Sequence, residues 1–209
     1  MNKKDKTKVE SNVRHDILLK AQHVFDDFKN FSDGVRVLFL IHRNKEGGET
    51  NNSKVKMVVS KNSDEFWLEL VKLMDMKERE HTIPYRIYSS VNPRNVKKAI
   101  RKFKHEQLDA EDYSEEQHQE FYFDIYRRWV GCLMQPQQAA GSLFIFDCDD
   151  VDGRDVHGET LQQIPNEHIV KSYKTKNGWH VVTKAFNYTT VKLPEGVELK
   201  KDGLILLSF

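Results

Sequence analysis

The chain has 209 residues, a formal net charge of +1, 38% hydrophobic and 31% charged residues. That is enough apolar material for one core, and the near-neutral charge excludes a globally basic nucleic-acid binder, so any such contact must come from local patches. Two cysteines, Cys132 and Cys148, without a C-x-x-C pair exclude a zinc ribbon and read as reduced thiols. No apolar region follows the basic start, and no run reaches the roughly 20 apolar residues of a membrane span. The expectation is a cytoplasmic protein with no membrane partner.

Residues 1–12 are lysine-rich and lack apolar periodicity, the pattern of a flexible basic arm. Residues 13–28 place Val13, Ile17, Leu18, Ala21, Val24, Phe25 and Phe28 at helical spacing, and Gly34 ends that stretch. A buried strand is expected over 35–41, a loop over 44–52 around Gly47 and Gly48, and a second strand over 55–59. Ser63, followed by Asp64 and Glu65, reads as the N-cap of a helix to about Arg79. A third strand over 83–91 leads into the turn Asn92-Pro93-Arg94 and a basic helix over 96–107. One helix over 115–134 follows, closed by Pro136.

The next strand, Leu143 to Asp147, runs into Asp147-Cys148-Asp149-Asp150. In a strand, residues two apart share a face, so Asp147 and Asp149 project side by side. Two such carboxylates repel unless a cation lies between them, and oxygen donors suit a hard ion, Mg2+ or Mn2+. A loop through Gly153 and Gly158 contains a short helix over 159–163. Strands over 168–173 and 179–183 flank the hairpin turn Lys174-Thr175-Lys176-Asn177-Gly178, and the last strand spans 203–209. The fold class is α+β. An N-terminal α/β unit over about 13–135 is expected to pack on an antiparallel, motif-bearing unit over about 140–209.

Lys174 and Lys176 at the turn, Gly178 with its tolerance of positive φ, and His180 on the returning strand together suit a triphosphate. Asp202 stands at the mouth of the last strand. Three carboxylates plus a phosphate binder are the requirement for two-metal nucleotidyl transfer. Residues 86–104, with Arg86, Arg94, Lys97, Lys98, Arg101, Lys102 and Lys104, form the most basic stretch outside the arm. Tyr85 and Tyr88 stand beside it, so it suits a nucleic-acid backbone and a stacked base.

In this order the motifs resemble the archaeo-eukaryotic primase superfamily, which includes the primase-polymerases. Phe146-Asp147-Cys148-Asp149 is similar to its hydrophobic-Asp-hydrophobic-Asp strand motif. Gly178-Trp179-His180 is similar to its small-x-His hairpin motif, and Asp202 stands where a hydrophobic-Asp third motif is sought, with Lys201 rather than an apolar residue before it. Val91-Asn92-Pro93-Arg94 resembles a segment upstream of the first motif. The likeness spans about residues 35–209. It implies an α/β unit packed on an RRM-like unit and a nucleotidyltransferase that uses Mg2+ or Mn2+ in DNA replication or repair. Asp147, Asp149 and Asp202 would be catalytic and metal-ligating. His180, Lys174, Lys176 and Gly178 would bind nucleotide, and Arg86, Arg94, Lys97, Lys98 and Arg101 would bind nucleic acid. The partners implied are single-stranded DNA or RNA template, nucleoside triphosphates and a helicase or accessory replication protein. The chain ends soon after the third motif, with no zinc module, helicase part or helical accessory domain, so extension or partnered work is expected over priming alone.

Rival readings remain. A haloacid-dehalogenase-type phosphatase also opens on a strand and D-x-D, but it needs a long α/β stretch after the motif. A calcium loop of EF-hand type is excluded by Val151 and Asp152. An RRM-like sheet can bind single strands without catalysis, and a nuclease can use the same carboxylates.

Overall fold

The computed structural model describes residues 34–42, 55–79 and 85–208. The basic arm, the helix expected over 13–28 and the loop over 44–52 lie outside the described residues. The described chain is mixed α+β, with two antiparallel four-stranded sheets and five α-helices.

The first sheet is built from β1 (Arg36–His42), β2 (Val55–Ser60), β3 (Tyr85–Ser90) and β8 (Leu204–Ser208), in the order β2-β1-β3-β8. Alternation assigns its faces. Leu38, Leu40 and Ile87 meet α1 (Ser63–Arg79), which buries Phe66, Leu70, Leu73 and Met74 along one stripe. Val35, Val37 and Phe39 meet α2 (Val96–Asp109) through Ala99 and α4 (Ile125–Met134) through Val130 and Leu133. Each such valine, leucine, isoleucine, phenylalanine or methionine side chain stabilises the fold by about 1.5–3 kcal/mol when fully buried.

Several helix ends differ from expectation for local reasons. Asn62, not Ser63, caps α1, its Oδ1 accepting the Glu65 amide at 2.9 Å. The helix expected over 115–134 breaks into α3 (Glu115–Phe123) and α4. Asp124 at the joint leaves helical geometry at φ −97°, ψ 9°, since its short polar side chain is a poor helix former. Helix α5 (Val156–Gln163) starts earlier than expected because Asp155 caps it, accepting the Gly158 amide at 2.9 Å.

The second sheet contains β4 (Leu143–Asp149), β5 (Ile169–Lys174), β6 (Gly178–Lys184) and β7 (Val197–Lys200), in the order β5-β6-β4-β7. One face, with Phe146, Cys148 and Val181, is covered by α5 through Val156. On the other face, Ile145 and Val182 join the first sheet's core together with Ile205 and Leu207 of β8. The last strand thus leaves the motif-bearing sheet and pairs with β3, where Ile205, Leu206 and Leu207 are all buried.

Candidate active site

The β4–β6 pairing runs from Leu143 opposite Lys184 to Asp149 opposite Gly178. Gly178 is required there. A Cβ on it would lie 1.9 Å from the Cys148 carbonyl oxygen, and its φ is +153°. That close approach brings the Lys176 turn beside the aspartates; the Asp150 amide donates to the Asn177 carbonyl at 2.8 Å.

Register then places one row of four side chains across the whole sheet. Tyr173 lies opposite His180, His180 opposite Asp147, and Asp147 opposite Glu198. Directly paired residues share a face, so the row is contiguous. His180 Nε2 lies 3.1 Å from Asp147 Oδ1, and Tyr173 Oη lies 2.8 Å from His180 Nδ1. Tyr173 also bonds the Leu206 backbone, tying the row to β8 of the other sheet. Lys200, opposite Ile145, reaches diagonally to Asp147 Oδ2 at 2.5 Å and to Glu198 Oε2 at 3.2 Å.

The electrostatics follow from these contacts. The His180 hydrogen bond, with Lys200 second among the favourable contacts, holds the Asp147 carboxyl well below the usual range against the opposing effect of burial. Burial and the Asp147 charge push the Tyr173 phenol far up, so it remains a neutral donor. Burial alone would lower the Lys200 ammonium, but Asp147 and Glu198 raise it. Cys148 points the opposite way, towards Thr160 under α5, and burial raises its thiol. It is a packing residue.

A cavity of about 660 Å³ opens over this row, between the two sheets. One wall is charged, with Asp147, Asp149, His180, Glu198, Lys200 and Lys176; Arg86 joins from β3. The other wall is largely apolar, with Ile41, Tyr88, Leu204 and Leu206.

Of the residues expected from sequence, Asp147, Asp149, His180, Lys176 and Arg86 line this one cavity. Lys174 is exposed and does not line it. Lys97, Lys98 and Arg101 are exposed along α2, outside the cavity wall.

Asp202 and Arg94 are placed elsewhere. Arg94 is fully buried, its backbone bridged to Val35 and Ala139. A buried guanidinium requires a counter-charge, and Asp202 supplies both oxygens, at 2.6 and 2.9 Å. Asn92 adds a bond to Asp202 at 3.0 Å and two to the backbone of Leu143. The Asn92-Pro93-Arg94 turn is therefore a latch that joins β3, the start of β4 and the β7–β8 turn. It presents neither a metal ligand nor a phosphate contact to the cavity.

Glu198, Lys200 and the role of Tyr173 were not foreseen. The signal for the first two was the alternation Val197-Glu198-Leu199-Lys200 after Gly196, a strand only four residues long. The carboxylates of Asp147, Asp149 and Glu198 have the donor chemistry of a hard cation, although among the described residues no three His, Cys, Asp or Glu side chains converge on one point. Asp149 keeps its carboxylate without a hydrogen bond or ion pair among the described residues, which fits one ion. Between Asp147 and Glu198 lies the Lys200 ammonium, paired with both. Comparison of the chain with protein-family models, with curated proteins and with solved structures finds no match.

Proposed function

We propose that this chain is a metal-dependent nucleotidyltransferase of primase-polymerase type, adding nucleotides to a nucleic-acid strand in replication or repair. The observation that carries the reading is the row Tyr173–His180–Asp147–Glu198, whose last three members open onto a cavity with one charged and one apolar wall. The second sheet supports it. Its order β5-β6-β4-β7, with a helix after its first strand, fits an RRM-like unit, although only a short 3-10 turn stands between β6 and β7. Val197-Glu198 is a hydrophobic-acid pair on a later strand, and it takes the part for which Asp202 was expected.

Mg2+ or Mn2+ held by Asp147 and Asp149 would supply the Lewis acid that favours attack of a 3′-hydroxyl on the α-phosphorus, with pyrophosphate leaving. The chain's own groups do the rest. Lys176 and Arg86 bind and orient the phosphates, and His180, with Nε2 3.1 Å from Asp147 Oδ1, positions that carboxylate at the same edge. Tyr88, Ile41, Leu204 and Leu206 exclude water on the side that takes sugar and base. The exposed cations Lys97, Lys98 and Arg101 on α2 suit a template backbone.

Primer extension and de novo priming with Mg2+ or Mn2+, on wild type and on Asp147→Asn/Asp149→Asn, test this reading. Incorporation by the wild type that is lost in the double variant is expected. Single-strand binding without incorporation would replace it with a binding module. Strand cleavage lost in the same variant would replace it with a nuclease.

A further inference from the structure

The reading above assigns the carboxylates to metal but leaves Lys200 without a task. Its position gives it one. Asp147, Asp149 and Glu198 bring three negative charges to one end of the second sheet. The Lys200 ammonium lies between Asp147 Oδ2 and Glu198 Oε2, at 2.5 and 3.2 Å. Those two carboxylates face each other across the β4–β7 pair, where like charges destabilise unless something cationic separates them. Lys200 is placed to do this by the backbone. It is two residues from Glu198 on the same face, and its stem starts opposite Ile145.

We infer that Lys200 is a tethered cation that replaces the second metal ion of a two-metal site, so that the chain's own side chains bind one divalent cation, on the Asp149 side of Asp147. This rests on the nucleotidyltransferase reading and alters its stoichiometry. A fixed ammonium between the strands holds Asp147 and Glu198 in place before any ion arrives, and it offers a permanent positive charge to an incoming phosphate. It also makes loading depend on one free metal concentration rather than two.

Counting Mn2+ bound to the full chain by electron paramagnetic resonance tests this, with an Asp147→Asn/Asp149→Asn/Glu198→Gln triple variant as the baseline. The expected count above baseline is one ion for the wild type, one for Lys200→Arg, and two for Lys200→Met. Two ions on the wild type overturn the inference, as does a single ion on a Lys200→Met protein that unfolds at the wild-type temperature. Where Lys200→Met melts early, Lys200→Gln carries the same expectation of two ions, and a single ion bound to it overturns the inference equally. A wild type that binds two ions and extends primers defeats the inference alone. A wild type and a Lys200→Met variant that both bind none defeat the metal-dependent reading with it.

Discussion

Two aspartates of this chain, Asp202 and Asp147, are each paired with a cation. Asp202 meets Arg94 in a pair whose guanidinium is 0% exposed, with Asn92 consuming what remains of the carboxylate. Asp147 meets Lys200 and His180 at a cavity wall, where the side chains of Asp147 and Lys200 remain 28% and 34% exposed. The first pair spends both terminal nitrogens of the guanidinium and both carboxylate oxygens on holding segments together. The second leaves lone pairs and charge facing open space. An acid next to a basic residue is thus architecture where both are enclosed, and chemistry where a cavity receives what is left over.

That contrast can be broken from either side. Asp202→Ala leaves a buried guanidinium uncompensated, and a stability loss of about 3–5 kcal/mol is expected in denaturant unfolding. Asp147→Asn should act the other way round. Nucleotide incorporation falls by about 10²–10³-fold, while the unfolding midpoint stays close to wild type, since exposed ion pairs contribute about 0–1 kcal/mol.

Smaller changes sharpen the comparison within the site. Gly178→Ala places a methyl against the Cys148 carbonyl, and about 1–3 kcal/mol of destabilisation is expected. Asp149 shifts with that strand, so metal binding should weaken too, as read by Mn2+ titration. Tyr173→Phe removes the hydrogen bond to His180 Nδ1. A loss of about 0.5–1.5 kcal/mol is expected, with a 15N signature at His180 showing a changed mixture of ring tautomers.

The smallest effect is on the acid limb of stability. The folded Asp147 carboxyl titrates below its unfolded value of about 3.9. Its contribution is therefore complete above about pH 4 and is lost as pH falls from there towards the folded value. Asp147→Asn should lower stability at neutral pH by less than about 1 kcal/mol and converge with the wild type as pH falls below 4, so that its acid limb is flatter.

Much of this was legible in the residues. Apolar runs and turn chemistry located β1, β4 and the Lys174–Gly178 hairpin to within a residue or two. The i, i+2 spacing put Asp147 and Asp149 on one face, and the hairpin brought His180 opposite Asp147. The role expected of Asp202 was a misreading with a physical cause. Local spacing shows an aspartate at a strand mouth, but only the tertiary fold shows that Arg94, over a hundred residues earlier, needs its charge. Glu198 and Lys200 escaped for the opposite reason. Val197–Lys200 is too short for periodicity to stand out, and its pairing with β4 is set by register rather than by local preference. The final strand's departure to the first sheet was hidden as well, because a buried apolar strand carries no mark of the sheet it joins.

The most direct measurement compares nucleotide incorporation per folded molecule, with Mn2+, in Glu198→Gln and Asp202→Asn. The account predicts that Glu198→Gln loses most of its incorporation while keeping its stability. It predicts that Asp202→Asn loses stability while its folded fraction keeps wild-type incorporation. Full activity in Glu198→Gln together with a folded but inactive Asp202→Asn would contradict it.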